Sequence, residues 1–250
     1  MDEQLALYRY FLKDSIRRKI DFASTDQSRG VRPPPAEKPY PPDAPLIDLT
    51  SKEDLEGTFT ADLFSAISGR QSHRNFGAIP LSLKELSFLL WATQGTRSKP
   101  NDYATLRTVP SAGCRHALET YLCVLNVKGL EAGIYRYLPM EHQLLVVSID
   151  SELPDRIVAA TLNQTFTGSA AVTFIWAAIP YRMEWRYDLA AHKVIALDAG
   201  HVCQNLYLAC AAIGGGTCAI AAYHQELMDR LVNVDGTDEF VIYLAAVGKI

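Results

Sequence analysis

The sequence predicts an α+β fold with a mixed central sheet flanked by helices. Five short runs rich in Val, Ile, Tyr and Phe read as strands, other stretches repeat apolar residues at helical spacing, and the two kinds alternate irregularly along the chain. With 250 residues, 48% of them apolar and 21% charged, the composition is that of a globular chain able to bury a sizeable core.

Taken in order, 3–21 places Leu5, Tyr8, Phe11, Leu12, Ile16 and Ile20 at helical spacing with Lys13, Arg17, Arg18 and Lys19 largely opposite, which predicts an amphipathic opening helix. Residues 28–45 hold seven of the 13 prolines. Proline lacks a backbone donor, so this arm must be extended and cannot be a central strand; too little chain precedes it to form a domain, which favours a strap lying over a surface. A division into 1–57 (helix and arm) and 58–250 (main body) follows. In the main body, 61–70 reads as a short helix ending at Gly69 and Arg70. Ser82 with Glu85 three residues on forms a capping box for a helix that Gly95 stops. Strands are expected at 118–127, 133–138, 143–149, 171–179 and 239–247, with a helix rich in small residues at 197–213 and Gly214-Gly215-Gly216 as its stop.

Several function classes are disfavoured. A net charge of −4 offers duplex DNA or an anionic membrane no general attraction. No run approaches the roughly 18 apolar residues of a membrane span, and the N-terminus has no secretory pattern, so a cytoplasmic protein is expected. The five cysteines lie in apolar segments, as reduced core thiols do. Cys114 with His116, and His201 with Cys203, have i, i+2 spacing that points side chains apart on a helix, so no metal site is expected. Val109-Pro110-Ser111-Ala112-Gly113 lacks the first Gly of a nucleophile elbow, and neither a P-loop nor G-x-G-x-x-G follows a strand.

What remains is the arginine-rich turn Arg70-Gln71-Ser72-His73-Arg74-Asn75-Phe76. Two guanidinium groups at i, i+4 around a hydroxyl can converge on one phosphate or carboxylate, and they can equally form a solvated basic turn.

This stretch resembles the R-x-S-x-R-x-F/Y opening of the FMN-dependent nitroreductase superfamily. RTVPSAGCRHALETYLCVLNVKGLEAGIYRYLP (107–139) and LDAGHVCQNLYLACAAIGGGTCAI (197–220) resemble its SagB-type branch, related to thiazole/oxazole-forming dehydrogenases, and the opening 11–40 resembles the leader of stand-alone members. The resemblance implies an intertwined homodimer with FMN at the subunit interface. It implies phosphate and ribityl contacts from Arg70, Ser72 and Arg74 with Gln71 beside them, and a loop Pro110, Ser111, Ala112, Gly113 laid on the flavin ring from the partner. Ile220, Ala221 and Ala222 match backbone donors near ring N5, and Lys249 matches a basic residue completing the phosphate site. Gln164 matches a ring partner or a plain helix-end amide.

In azoline-oxidising relatives a Lys-Tyr pair serves as the base element; here the matching stretch is Tyr181-Arg182-Met183-Glu184-Trp185-Arg186-Tyr187-Asp188. Arg186 stands in place of lysine and stays protonated, so it cannot act as that base. It can orient a carboxylate or carbonyl beside Tyr187, or simply be a surface charge. No appended peptide-clamp domain is recognisable, so a peptide substrate would need a separate partner. The implied activity is FMN-dependent hydride transfer through N5 on a small-molecule or modified-peptide substrate. The alternatives are an NAD(P)H-dependent nitro/quinone reductase, with NAD(P)H as electron donor, and a non-catalytic flavin-binding partner of a biosynthetic complex.

Overall fold

The computed structural model describes residues 2–101 and 104–250. Its elements, in chain order, are α1 (Glu3–Leu12), β1 (Leu46–Asp48), α2 (Lys52–Leu55), α3 (Leu63–Ser68), β2 (Leu81–Ser82), α4 (Leu83–Gln94), β3 (Thr96–Asn101) and β4 (Ala104–Arg107). There follow β5 (Leu118–Val124), β6 (Val127–Lys128), β7 (Gly133–Leu138), β8 (Gln143–Ile149), α5 (Leu153–Ala160), β9 (Val172–Ala178), α6 (Tyr181–Tyr187), α7 (Ala191–Ala212), β10 (Gly215–Ile220), α8 (Gln225–Val232) and β11 (Phe240–Lys249).

Seven strands form the main sheet in the order β1-β8-β7-β5-β9-β11-β10. The α+β class holds, but the expected mixed sheet does not: every ladder in it is antiparallel. Its parallel component is one isolated bridge, Ser72 to Thr217, on the β10 edge. The crossover from β9 through α6 and α7 does return the chain in the same direction along β10. β11 then fills the place between them antiparallel, so the two co-directional strands never pair.

Both faces of the sheet are covered, which is why its strands read as continuous apolar runs rather than alternations. Val172, Phe174, Trp176 and Ala178 of β9 pack with α4 and α7, through Leu86, Leu90, Val202 and Leu206. Ile175 and Ala177 point the other way, towards Ile157 of α5 and Met228 and Leu231 of α8.

The capping box behaves as expected: Ser82 Oγ accepts from Glu85 N at 3.2 Å, Glu85 Oε2 accepts from Ser82 N at 2.8 Å, and Gly95 follows the last residue of α4. The opening helix is shorter than expected. It stops at Leu12, and Asp14, paired with Arg17, begins a separate 3-10 segment over Asp14–Lys19. Of the three glycines, Gly214 alone makes the turn after α7, with φ 61°, while Gly215 and Gly216 belong to β10. Among the described residues no helix is long and apolar enough to cross a membrane, and four of the five free cysteines are buried.

The arm lies on the body. Its carbonyls accept from side chains beneath: Val31 O from Trp185 Nε1 (2.9 Å), Ala36 O from Arg107 (3.1 Å) and Lys38 O from Arg136 (2.8 Å). A proline-rich segment offers acceptors without matching donors, and arginine supplies donors only, so the two chemistries complement each other. Next along the chain, β1 joins the sheet beside β8.

Candidate active site

The arginine-rich turn is positioned by the end of α3 and the edge of the sheet. Asp62 caps α3, accepting from Ser65 N at 2.9 Å, and beyond Gly69 the chain runs extended over β10 and the end of β11. His73 N donates to Thr217 O at 3.0 Å and Gly77 N to Lys249 O at 2.7 Å. Gly216 permits this approach, because a Cβ there would stand 2.7 Å from His73 Cβ.

Arg70 and Arg74 are exposed, and among the described residues neither pairs with a carboxylate. Each rests against a ring instead, Arg70 at 5.3 Å from that of Tyr207 and Arg74 at 6.0 Å from that of Phe166. Ser72 Oγ lies 2.8 Å from Tyr207 Oη. Arg70, Gln71, His73, Tyr207 and Thr217 line a cavity of about 240 Å³. Thr217 Oγ1, on a residue only 1% exposed, has no protein partner. A cation without an acidic partner, Arg70, and an orphaned buried hydroxyl, Thr217, on one hollow, with Ser72 and Arg74 on the same turn, are what an anionic ligand would satisfy.

At the other end of β10, Ile220 is buried while Ala221 and Ala222 are exposed. Gln164 Nε2 holds this stretch, donating to Ala222 O at 2.8 Å and Thr161 O at 3.0 Å, so its amide nitrogen is committed to the fold. Lys249 is likewise committed: its ammonium meets the Glu85 carboxylate and donates to Ile213 O at 2.5 Å. Burial pushes Glu85 up, but Lys249 and Ser82 outweigh it and hold the carboxyl below its ordinary range.

A second group forms where α6 meets the loop 110–116. A Cβ on Gly113, whose φ is 59°, would stand 2.6 Å from Tyr187 Oη and 3.2 Å from Arg186 Nε, so only glycine fits there. Cys114 and His116 also take positive φ, 54° and 47°, a strained run of backbone that its surroundings must hold. Ser111 Oγ accepts from His116 N at 2.9 Å, and His116 Nε2 meets Thr105 O at 3.0 Å. Burial, then Arg107, drives the His116 pKa down to about 3, so the ring is neutral and its Nε2–H donates to that carbonyl. Asp198 of α7, 6% exposed, faces the Ser111 hydroxyl and Ala112 N–H, and burial raises its carboxyl. Arg115 donates to Arg182 O at 3.1 Å and its guanidinium lies 4.8 Å from the Trp185 ring. Arg186 is half-buried beside the Tyr187 ring at 5.4 Å, with no acidic partner among the described residues.

The structure thus gathers Arg70, Gln71, Ser72 and Arg74 at one place. It gathers Pro110, Ser111, Ala112 and Gly113 with Arg186 and Tyr187 at another, and stations Ile220–Ala222 with Gln164 at the end of β10. The first two groups are touched by α7 through Tyr207 and Asp198, nine residues apart, which is about 14 Å along the helix axis. Tyr207, Thr217, Asp198 and Arg115 were not picked out from the sequence. An acid and a tyrosine on a helix otherwise rich in small apolar residues were the available signal.

Known proteins bear on this arrangement. Residues 67–249 match the nitroreductase family. MJ1384 of Methanocaldococcus jannaschii, named as a nitroreductase, is 32% identical over 180 residues, covering 72% of this chain and 87% of that protein. The microcin B17-processing protein McbC of Escherichia coli is 24% identical over 217 residues, 80% of this chain and 78% of its own. Among solved structures, a nitroreductase-type protein from Ralstonia eutropha shares 25% identity with a TM-score of 0.68, covering 86% of this chain and 97% of that one. The chain spans 42% of a longer one from Anabaena variabilis, with 22% identity, a TM-score of 0.65 and 83% of this chain covered. The fold and the matched span agree, and the chain belongs to the nitroreductase family of oxidoreductases, on the side of its SagB-type processing proteins.

Proposed function

We propose that this oxidoreductase uses FMN and works as a homodimer. The observation that carries the reading is the turn 70–74 and the hollow beside it: among the described residues Arg70 and Arg74 lack acidic partners, and Thr217 Oγ1, on a residue lining that hollow with Arg70, lacks any partner. Arg70, Ser72 and Arg74 would hold the phosphate, with Gln71 alongside. Ala221 and Ala222 would present backbone N–H groups towards the ring edge, and Pro110–Gly113 of the second copy would cover a ring face. Gln164 and Lys249 serve this site indirectly, one anchoring Ala222 and the other anchoring Glu85. When bound, FMN would supply hydride transfer at N5.

A second copy has surface to meet. Leu63, Phe64 and Ile67 of α3 and Leu197 of α7 are exposed, and an apolar groove of about 450 Å³ runs between α7, β11 and Phe11. Segment 58–250 holds every residue of the proposed site, and 1–57 buttresses α6 through the bond from Trp185 to Val31 O.

On the substrate side, Arg186 would orient an acidic or carbonyl group and Tyr187 would donate a hydrogen bond; neither removes a proton from carbon. This favours a small molecule over an azoline peptide, although the likeness to McbC supports a modified peptide delivered by a partner. The nitro/quinone reductase reading shares the same site and is supported by the likeness to MJ1384. Purified protein tests all of these. A yellow chain bleached anaerobically by NADH or NADPH supports the reductase, a yellow chain that no donor or substrate bleaches supports a non-catalytic flavin binder, and a colourless chain that takes up no added FMN overturns the proposal.

A further inference from the structure

Tyr207 projects from α7 to the back of Ser72, and its hydroxyl makes two contacts. Ala219 N lies 3.0 Å from Tyr207 Oη, and Ser72 Oγ lies 2.8 Å from it. A backbone N–H can only donate, so Tyr207 Oη accepts from Ala219. Its own proton then needs an acceptor, and the only one offered among the described contacts is Ser72 Oγ. If Ser72 donated instead, Tyr207 Oη would accept twice and leave its proton with none. The direction of the chain is therefore set: Ala219 N–H donates to Tyr207 Oη, and Tyr207 O–H donates to Ser72 Oγ. That leaves the Ser72 proton with no acceptor among the described residues.

We propose that Tyr207 is a positioning residue that turns Ser72 into an outward hydrogen-bond donor, so that the exposed turn carrying Arg70, Ser72 and Arg74 selects an anionic oxygen over a neutral one. This rests on the FMN reading and adds to it the residue that polarises the anchor. Two further observations point the same way. The tyrosine ring also carries the Arg70 guanidinium, 5.3 Å from its centroid, so one side chain orients both a donor and a cation. Thr217, bridged to Ser72 and lining a cavity with Arg70 and Tyr207, has its buried hydroxyl unpartnered. Hydrogen bonds in series polarise one another, so the serine hydroxyl is a stronger donor with Tyr207 behind it than alone.

The test titrates the wild-type chain, Tyr207→Phe, Ser72→Ala and the double variant with FMN and with riboflavin, which lacks the phosphate. Phenylalanine keeps the ring under Arg70, and Ser72 is exposed, so neither change threatens the fold. Tyr207→Phe is expected to weaken FMN about tenfold, or about 1.4 kcal/mol, with riboflavin affinity changed less than about twofold. Adding Tyr207→Phe to Ser72→Ala should cost little more, because Tyr207 acts only through Ser72. Equal losses for FMN and riboflavin, or losses that simply add, would overturn the relay while leaving the FMN reading intact. A wild-type chain that binds neither flavin overturns both.

Discussion

Arg70 and Arg74 flank Ser72 with no carboxylate paired to them among the described residues, so an arriving phosphate meets no competing anion at their guanidinium groups. A charged hydrogen bond is worth about 1.5–3 kcal/mol, so replacing both with Ala should reduce FMN affinity by at least a hundredfold. Equilibrium dialysis of the double variant checks this. Retained yellow colour through purification would place the phosphate elsewhere. Arg186 is the residue where physics and resemblance part. A guanidinium does not deprotonate at working pH, so the native chain is expected to turn over a model azoline peptide negligibly, and Arg186→Lys to gain measurable rate. Steady-state turnover of both, with and without a candidate peptide-binding partner, decides it. The residues legible in the sequence were those whose chemistry needs no neighbour to be recognised, two arginines around a serine above all. Tyr207 and Asp198 were not, since a polar group on an apolar helix acquires its role only from the loop that lands against it, here 70–74 and 110–113.

Elements place these residues by close approach. The extended stretch after α3 lies on β10 only because Gly216 leaves room, and a new Cβ 2.7 Å from His73 must displace it. Gly216→Val should therefore weaken FMN binding more than tenfold while lowering Tm by only a few degrees, since one edge is disturbed and the two core layers are not. Titration alongside a thermal melt checks this; unaltered binding would mean that the turn does not need β10. The arm is held by groups that titrate. Burial, then Glu141 and Glu119, pushes the Glu37 carboxyl up to about 8, with Arg107 also nearby and Met140 N donating at 3.3 Å. A raised carboxyl contributes stability that is complete below about 4.5 and lost as pH rises through about 8. The arm should thus become steadily more susceptible to proteolysis as pH rises from about 4.5 to about 8 and level off above that, and Glu37→Gln should flatten that dependence. Limited proteolysis across that range checks it. His116 works in the opposite sense: its contribution is complete above about 6.5 and lost as pH falls towards about 3. At this scale the strands at β7 and β8 were legible to the residue, because both are short runs rich in β-branched, aromatic and leucine side chains bounded by turns. Sheet direction was not, because helical crossovers are equally compatible with parallel neighbours and with co-directional strands kept apart by a third.

For the molecule as a whole, the two halves of the proposed site touch α7 at Tyr207 and Asp198, about 14 Å apart along its axis, and several large apolar side chains on α3 and α7 face solvent. The expected outcome in sedimentation at micromolar concentration is a single species of twice the chain mass of 27.7 kDa, with flavin lost on dilution into monomer. A flavin-loaded monomer would refute the shared site.

The order of the strands also bears on how the chain reaches this state. β9 and β10 are each complete well before β11 appears in the sequence, yet β11 is the strand that lies between them and pairs with both. Until it docks, each of those two strands presents an open ladder to solvent, with the crossover through α7 already drawn across one face. Such late, long-range pairing slows folding and exposes sticky intermediates. The step that joins the β10 edge, and hence the Ser72 bridge, to the rest of the sheet is thus expected late in folding, and refolding from denaturant should recover flavin capacity later than helix content; simultaneous recovery would overturn this order.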